Sequence, residues 1–534
     1  MSTLTADIFG ARSVPDKGGR SKAPAVPDGL TAVPPPGQPM RVARALVKVL
    51  YTEPGGMVLR SHRGDFYWWD GTRYVELERR DVRRSAYEFL EDAVYLHPDE
   101  DAWLPFAPTQ RKVADIVDAL HAVVFVESRP DAPLWIDGRE RPFAPDVVAM
   151  QNGLLHVPTR SLHPHTTQFF NHHALPFAYD PKAPAPARWL AFLEELWPDD
   201  TAAMAGLQDV IGYLLAGDTR QQKIFGLVGP PRSGKGTIAR VVTGLLGPHH
   251  VAGPTLASLA TNFGLQPFIG KPLAIVADAR LSTRADSKVV VERLLSISGE
   301  DALTIDRKYK EPWTGRLPTR FLILTNELPR LSDASGALAS RFILFMLKTS
   351  FIGQENPQLT AELLTEAPSI FNWALEGAER LVARGYFENP TSSAEAVRQM
   401  EDLSSPIGAF IRDRCVVDGA ATVAVEVLWT AWKAWCAETN TRVSTKALFG
   451  RDLRAAQPRL KLARPREDGD RVYHYEGIGL RDQYSALLPG PPGPAGPTAE
   501  PGGLGGPGGP GNSAMYPPQE FTFDPTAAFR KERD

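Results

Sequence analysis

The segment from Gly229 to Thr237 has the residue types and the spacing of a loop that binds phosphate groups. It reads Gly229, Pro230, Pro231, Arg232, Ser233, Gly234, Lys235, Gly236 and Thr237, and the apolar run 224–228 precedes it. A strand that leads through a glycine-rich loop into a helix surrounds phosphate oxygens with backbone N–H groups, and the helix N-terminus adds positive potential. Lys235 is spaced to reach the β- and γ-phosphates. The segment therefore predicts that the chain binds ATP or a similar triphosphate.

The residue after the lysine departs from the usual pattern of such loops. A hydroxyl at this position normally meets Mg²⁺, but here the position is Gly236 and the hydroxyl comes next, on Thr237. Two arrangements stay open: Thr237 binds the metal, or water molecules hold it in part. The same Gly-Lys-Gly-Thr order occurs in small nucleotide kinases, so a small-molecule kinase is an alternative for the loop alone.

Two other apolar segments end in polar side chains of the kind that nucleotide hydrolysis requires. Residues 271–277 lead to Asp278, and residues 321–325 lead to Asn326. The carboxyl ends of parallel strands face the ligand crevice of such a sheet. Asp278 is therefore predicted to hold Mg²⁺ and orient water, and Asn326 to sense the γ-phosphate. The structural alternatives are a helix N-cap or turn at Asp278 and a turn cap at Asn326.

An arginine that neutralises charge in the transition state would complete this set. Arg341 stands just before the predicted strand 343–347 and is the preferred candidate. Arg316 and Arg320 are its rivals, and a surface salt bridge is the structural alternative for Arg341.

A locally basic segment lies between the two predicted strands. Lys308 and Lys310 flank Tyr309, and Arg307 precedes them. Basic side chains beside an aromatic ring suit the backbone and bases of single-stranded nucleic acid. An ordinary solvated hairpin is the alternative, since charge runs usually lie on solvated faces.

Composition and periodicity indicate the elements that must position these residues. The chain has 534 residues, enough for more than one domain. Apolar residues at helical spacing in 187–217 predict helices that lead into the nucleotide-binding core, and Asp70-Gly71 predicts a β-hairpin over 66–75. The predicted parts are a disordered tail at 1–40, an α+β region at 41–186, a helical collar with the nucleotide-binding domain at 187–400 (core 222–350), helices with a short β-wing at 404–482, and a Gly/Pro-rich disordered tail at 487–534.

The overall composition narrows the class of protein. Charged residues make up 23% and hydrophobic residues 43% of the chain, as in soluble globular proteins. The net charge of −3 gives no global signal for nucleic acid, so any such contact depends on local patches. Cys415 and Cys436 form neither a disulfide framework nor a zinc pattern, and they fit a reducing cytosol. No signal peptide and no membrane span are expected.

Four motifs together resemble the helicase part of phage and plasmid primase-helicases. They are the loop 229–237, the strand that contains Asp278, the segment 299–308, and the Leu-Thr-Asn-Glu-Leu-Pro segment 324–329. These relatives are superfamily 3 helicases, a branch of the AAA+ ATPases, and they are related to the poxvirus primase-helicase. The resemblance covers roughly residues 45–482.

The resemblance implies an α/β fold and a division of roles within it. A parallel sheet flanked by helices would form an AAA+ P-loop ATPase core, with an α+β N-terminal region before it and a winged-helix module after it. The loop 229–237 looks like the Walker A loop, Asp278 like the Walker B acid and Asn326 like sensor 1. ATP and Mg²⁺ would be the cofactors.

The resemblance also implies what the chain binds. Arg341 looks like the finger that reaches a neighbouring subunit, and Lys308 and Lys310 look like the basic positions of a hairpin that contacts DNA. Family members work as hexameric rings that move 3′ to 5′ along single-stranded DNA. The implied partners are single-stranded or forked DNA, further copies of the chain and a separate primase or other replication proteins in a bacterial host cytoplasm.

Two features depart from the family pattern. Many superfamily 3 helicases have paired acids in the Walker B motif, but here Ala277 precedes Asp278. Full-length relatives carry a primase-polymerase domain, whereas residues 1–186 show no clear cluster of metal-binding acids, so a helicase without its own primase is expected. An origin-binding or loader protein that uses ATP only to assemble on DNA is the alternative function.

The C-terminal part, 404–482, resembles the winged-helix region that follows such helicases. Its basic residues, consistent with phosphate contact, are Lys446, Arg451, Arg454, Lys461, Arg464, Arg466 and Arg471.

Overall fold

In the computed structural model, an α+β region forms the N-terminal part of the fold. The structure describes residues 25–97, 102–127, 131–278, 287–329, 331, 333, 336–464, 466–467 and 470–481. The helices of this region are α1 (Pro39–Leu50), α2 (Arg79–Glu91) and α3 (Gln110–Val123). Its strands are β1 (Thr31–Ala32), β2 (Thr52–Glu53), β3 (Gly56–Met57), β4 (Leu59–His62), β5 (Asp65–Trp69), β6 (Tyr74–Leu77), β7 (Ala93–Leu96), β8 (Trp103–Pro105), β9 (Leu134–Trp135), β10 (Val147–Met150), β11 (Gly153–His156), β12 (Ser161–His163) and β13 (Phe169–Phe170).

Strands β4, β5 and β6 form an antiparallel sheet. Trp69 lies opposite Tyr74 across the turn between β5 and β6. Asp70 Oδ1 accepts hydrogen bonds from the backbone N–H groups of Thr72 (2.8 Å) and Arg73 (2.9 Å). An aspartate that bonds the backbone just after it stabilises a turn. The β-hairpin predicted over 66–75 is therefore confirmed.

Ordered structure begins earlier in the chain than its composition predicts. β1 pairs in parallel with β7, Val33 is 1% exposed, and α1 begins at Pro39, where proline suits the first helical position. The disordered tail predicted for 1–40 is therefore too long. Local apolar content does not reveal a two-residue strand whose partner lies far along the chain. Residues 1–24 and the tail predicted at 487–534 lie outside the described residues.

The middle part of the fold combines helices with a parallel sheet. Its helices are α4 (Ala187–Leu196), α5 (Thr201–Leu215), α6 (Lys235–Leu246), α7 (Leu256–Leu259), α8 (Ser287–Ser298), α9 (Leu359–Leu364), α10 (Ala367–Arg384) and α11 (Ala394–Ser404). Its strands are β14 (Ile224–Val228), β15 (Val251–Ala252), β16 (Leu273–Val276), β17 (Leu303–Arg307), β18 (Lys310–Gly315), β19 (Arg320–Thr325) and β20 (Phe342–Met346).

The main sheet has the order β15-β16-β19-β14-β20, and all its strands are parallel. Every residue of β14 and β19 is buried, which explains why both strands appear in the sequence as apolar runs. Val228 lies opposite Thr325 on one side and Met346 on the other. The carboxyl ends of β19, β14 and β20 therefore meet at one edge. The mixed α/β class with a parallel sheet is confirmed.

The helices predicted over 187–217 are present as α4 and α5, and α5 packs closely against α10. A Cβ on Gly212 would stand 2.1 Å from the carbonyl oxygen of Ala374, so the close approach of the two helices requires glycine there. Asp209, which is 2% exposed, accepts hydrogen bonds from the side chains of Arg380 and Arg384 across the same contact. Among the helices that the structure describes, none is both long and apolar enough to cross a lipid bilayer.

The C-terminal part is a small module of helices and short strands. Its helices are α12 (Pro406–Arg414), α13 (Val425–Glu438) and α14 (Lys446–Ala456). Its strands are β21 (Cys415–Val416), β22 (Thr422–Ala424), β23 (Lys461–Ala463), β24 (Arg466–Glu467), β25 (Asp470–Arg471), β26 (His474–Glu476) and β27 (Gly479–Leu480).

Aromatic side chains hold the three helices of this module together. The Phe410 ring lies 5.3 Å from that of Trp432 and 6.3 Å from that of Phe449, centroid to centroid. Cys415 and Cys436 are buried and unbonded, and burial raises the pKa of these thiols to about 12 and about 11. Both cysteines are therefore core residues with little thiolate character. The described residues form one compact unit that ends at Arg481.

Candidate nucleotide site and basic hairpin

The loop between β14 and α6 has a geometry that its glycines permit. Gly234 has a φ of +87°, and a Cβ there would stand 2.7 Å from Leu196 Cδ2. A Cβ on Gly229 would stand 2.4 Å from the carbonyl oxygen of Leu347. Arg232 also has a positive φ, of 59°, and such backbone strain clusters at functional sites. The loop is therefore held tightly from behind by α4 and by the segment that follows β20.

Lys235 is the first residue of α6, and its ammonium group turns back onto the loop. The residue is 9% exposed. Its Nζ donates hydrogen bonds to the carbonyl oxygens of Gly229 (2.7 Å) and Pro230 (2.7 Å) and to Ser233 Oγ (3.1 Å). Burial lowers the pKa of Lys235. Because an ionised phosphate oxygen is a stronger acceptor than a carbonyl oxygen, a triphosphate in this loop would draw the same ammonium group.

The carboxyl edge of the sheet brings Asn326 next to the loop. The backbone N–H of Gly229 donates to the carbonyl oxygen of Thr325 (3.2 Å), and Asn326 follows directly. Asp278 comes two residues after the end of β16, which is the neighbour of β19, and it is exposed. The loop and both predicted polar residues therefore follow the carboxyl ends of three adjacent strands.

Two oxygen-bearing side chains at this edge suit Mg²⁺, which binds one or two protein oxygens together with substrate phosphates. They are Thr237, in the first turn of α6, and Asp278. Among the residues that the structure describes, no group of three or more His, Cys, Asp or Glu side chains surrounds a metal position. The Thr237 hydroxyl already accepts a hydrogen bond from Arg240 Nη2 (3.2 Å). Thr237 therefore suits a metal less well than the sequence suggests.

Arg240 is a further cationic residue of this edge, and it lies outside every motif that the sequence offers. It lies on α6 four positions after Gly236, so the two residues share one face of the helix. Gly236, in the usual hydroxyl position, is the one sequence feature that points to Arg240. A glycine there leaves space for a long side chain one helical turn later.

Arg341 lies at the opposite, amino-terminal edge of the sheet. It ends a short 3₁₀ turn just before β20. Its Nη1 donates to the carbonyl oxygen of Leu295 (2.6 Å) and to Ser298 Oγ (2.7 Å) near the C-terminal end of α8, where a cation is favoured. Because the loop lies at the carboxyl edge, Arg341 does not share a site with the Lys235 of its own chain.

The two rivals of Arg341 differ in accessibility. Arg320 is 4% exposed, and its Nη2 donates to the carbonyl oxygen of Leu214 (2.7 Å). Its guanidinium also lies 5.8 Å from the centroid of the Tyr213 ring. An arginine so enclosed does not reach a neighbouring copy, whereas Arg316 is exposed. Arg341 and Arg316 are therefore the remaining candidates.

The basic segment forms an exposed hairpin of β17 and β18. Arg307 pairs with Lys310 across its turn. Tyr309, at the tip, is 94% exposed and has a φ of 60°. Lys308 Nζ lies 5.1 Å from the centroid of the Tyr309 ring. The tip thus presents a cation and an aromatic ring to solvent.

The structure separates the two lysines predicted to bind DNA. Lys310 Nζ donates to Glu76 Oε1 (2.6 Å) and to Asp65 Oδ1 (3.2 Å), and Arg307 Nη1 donates to Asp65 Oδ2 (2.9 Å). Burial opposes the charged ammonium, but the hydrogen bond to Glu76 and the charges of both acids outweigh it and raise the pKa of Lys310. We call these four side chains the hairpin ion-pair cluster. In this conformation Lys310 is engaged by the N-terminal sheet, while Lys308 stands at the tip.

A second contact joins the N-terminal region to the base of the hairpin. Arg63 donates to the carbonyl oxygen of Thr314, and its guanidinium lies 5.3 Å from the centroid of the Trp313 ring. Arg63 also pairs with Asp131. The N-terminal region therefore contacts the hairpin both near its tip and at its base.

The C-terminal module carries basic residues on α14 and β23. Arg454 and Lys461 are exposed, whereas Lys446 pairs with Glu426. The Arg464 guanidinium lies 4.7 Å from the centroid of the Tyr473 ring. The side chains of Arg466 and Arg471 lie outside the described part of the chain.

Three segments of the chain match protein-family models. Residues 45–198 match a family described as D5 N terminal like, and residues 404–459 match one described as Poxvirus D5 protein-like. Residues 227–341 match a family of unknown function, DUF5906. This last segment contains every candidate residue from the loop to Arg341.

Solved structures of the NrS-1 C-terminal region are similar to this chain. An apo structure is 13% identical, covers 81% of this chain and 98% of its own, and has a TM-score of 0.49. An A-form apo structure is 12% identical, covers 81% of this chain and 99% of its own, and has a TM-score of 0.46.

Proposed function

We propose that this chain, whose residues 45–198 and 404–459 match family models of the D5 type, is a D5-like primase-helicase relative. Its function would be that of an ATP-dependent replicative DNA helicase of a phage, plasmid or integrated element. It would act as a hexameric ring that moves 3′ to 5′ along single-stranded DNA. The middle part is then an AAA+ P-loop ATPase core of superfamily 3, and the C-terminal module is a winged-helix domain.

One observation carries this proposal: the buried ammonium of Lys235 lies in a loop at the carboxyl edge of a parallel sheet, and the conformation of that loop requires its glycines. The hydrogen bond from Gly229 to Thr325 brings Asn326 to the same loop. Ligands of parallel α/β sheets bind at this edge. The positions of Lys235 and Asn326 at this edge, as well as their chemistry, thus support a nucleotide hydrolase.

The proposed site divides the work of hydrolysis among three side chains. Lys235 neutralises the β- and γ-phosphates, Asn326 orients the γ-phosphate or the attacking water, and Asp278 holds that water. Mg²⁺, which Asp278 would hold together with the phosphates, supplies charge neutralisation when bound. Asp278 is also the candidate base, since Ala277 occupies the place of a second acid.

The position of Arg341 supports hydrolysis between subunits. Its guanidinium belongs to the edge of the sheet opposite its own loop, so it can serve only the loop of another copy. An arginine supplied in trans couples hydrolysis in one subunit to the position of the next. This requirement favours an oligomeric ring over a single-chain kinase.

Hydrolysis of ATP by the full chain, measured with and without single-stranded DNA, tests the proposal. We expect DNA to stimulate turnover and Lys235→Ala to abolish it, while Lys182→Ala, a matched change of an exposed lysine, leaves turnover unchanged. Turnover that ignores DNA would count against a helicase. Nucleotide-dependent assembly on DNA without separation of a forked duplex would favour the origin-binding or loader alternative.

A further inference from the structure

Arg240 occupies the side of the loop that the glycine after the lysine leaves open. A Cβ on Gly236 would stand 3.2 Å from Arg240 Nη1, so the guanidinium lies beside the place where a side chain at position 236 would begin. In loops of this kind that side chain carries the hydroxyl that meets the metal next to the phosphates. Here a permanent cation stands at that place.

Two hydrogen bonds hold the guanidinium there. Nη2 donates to Thr237 Oγ1 (3.2 Å), and Nε donates to Thr360 Oγ1 (3.1 Å) in α9. The two acceptors belong to different helices, so the plane of the guanidinium is fixed from two sides. Its remaining nitrogen, Nη1, has no hydrogen-bond partner among the residues that the structure describes. Nη1 is therefore the group left to bind a ligand.

We propose that Arg240 is a further nucleotide-binding residue of this site and that its guanidinium contacts the phosphates of ATP in the space left by Gly236. The inference rests on the proposed function. A guanidinium forms short, charge-assisted hydrogen bonds with phosphate oxygens. Thr237 then orients Arg240, and it is not a direct ligand of Mg²⁺.

This arrangement has a consequence for metal dependence. A cation bonded to Thr237 repels a divalent metal from the same hydroxyl, so Mg²⁺ would reach the phosphates through Asp278 and water. Part of the phosphate charge is then neutralised by the chain itself. ATP should therefore bind without metal, with an affinity that depends on Arg240.

Titration of the full chain with a fluorescent ATP analogue, once with Mg²⁺ and once with EDTA, tests this inference. Arg240→Ala should weaken binding in EDTA about tenfold to hundredfold, the range for a lost hydrogen bond to a charged group, and by a smaller factor in Mg²⁺. Arg240→Lys should restore part of the affinity, because it keeps the charge but not the fork of donors. Arg80→Ala, a change of an exposed arginine in α2, is the matched control.

A second variant separates ligand binding from a structural effect. Gly236→Ser introduces a side chain that crowds Nη1, so it should displace Arg240 and reproduce the loss in EDTA while it adds a hydroxyl that can meet Mg²⁺. Thermal unfolding of each variant checks that the fold is intact.

Two results would overturn the inference: equal affinities of the parent and Arg240→Ala in EDTA, or unchanged binding by Gly236→Ser in EDTA. Failure of the proposed function gives a different pattern, in which the parent and Lys235→Ala bind the analogue equally poorly even with Mg²⁺.

Discussion

Lys310 and Glu76 lie 234 positions apart in the chain, yet Lys310 Nζ donates a hydrogen bond to Glu76 Oε1 at 2.6 Å. The contact joins a hairpin that extends from the parallel sheet to an antiparallel sheet of the N-terminal region. Asp65 strengthens it, because it accepts from both Lys310 and Arg307. Carboxylates thus occupy the positions around Lys310 where the proposed function requires DNA phosphates.

Removing these carboxylate charges should make the hairpin a better DNA ligand. In the double variant Asp65→Asn/Glu76→Gln, Lys310 no longer has to leave two anions to meet a phosphate. We expect affinity for single-stranded DNA to rise about threefold to tenfold at low salt and the salt dependence to steepen. Fluorescence anisotropy of a labelled oligonucleotide measures both. Glu88→Gln, a change of an exposed acid in α2, is the control, and an unchanged or lower affinity of the double variant would show that Lys310 does not contact DNA.

Loss of both lysines should have the opposite effect. In Lys308→Ala/Lys310→Ala the hairpin keeps Tyr309 but lacks the cations beside it. We expect strand separation of a forked duplex to be lost and the stimulation of ATP hydrolysis by DNA to fall, because the hairpin then lacks its cationic contacts to single-stranded DNA. Unwinding assays with Lys182→Ala as the matched control check this, and normal unwinding by the double variant would refute the DNA role of the hairpin.

Arg341→Ala should abolish turnover while nucleotide binding stays largely intact, because the arginine lies at the edge opposite its own loop. An equimolar mixture of Arg341→Ala and Lys235→Ala chains should regain part of the activity, since some interfaces then combine an intact loop with an intact arginine. Hydrolysis rates of the mixture, with ring assembly checked by light scattering, measure this. A mixture that stays inactive although both variants assemble would rule out action in trans.

Buried histidines should make the protein sensitive to acid. Burial lowers the pKa of His62 and His172 to about 4 and that of His250 to about 3, whereas in the unfolded chain the value is about 6.5. A lowered folded-state pKa means that the unfolded chain binds more protons below pH 6.5. The contribution of these neutral rings to the free energy of unfolding is therefore complete above about pH 6.5, and it is lost as the pH falls towards 4.

Urea unfolding between pH 7 and pH 4 measures this loss as a steady fall of the midpoint. His172→Gln should flatten the slope, and His163→Gln, a change of an exposed histidine, should not. A midpoint that stays constant over this range would contradict the assignment of neutral, buried rings.

Local sequence signals predict the nucleotide side of the fold well. β14, β16, β19 and β20 are buried, so each appears as an apolar run, and the residues that follow the first three fall at one edge through the regularity of parallel strands. The signal fails where contacts join distant parts of the chain. Nothing near Lys310 in sequence reveals Glu76, and nothing near Gly236 reveals that α9 would help to hold Arg240. The two-residue strand β1 was missed for the same reason.

Strand β19 has two different ends, and both belong to the candidate machinery. At one end, four residues join the base of the hairpin to Arg320, the first residue of β19. At the other end, Asn326 follows Thr325, the last residue of β19. Between them lies a six-residue strand that pairs with β16 on one side and with β14 on the other, a span of about 20 Å at the usual rise per residue. An extended strand resists stretching. A displacement of β19 along its axis at the nucleotide end would therefore move the hairpin end by nearly the same distance.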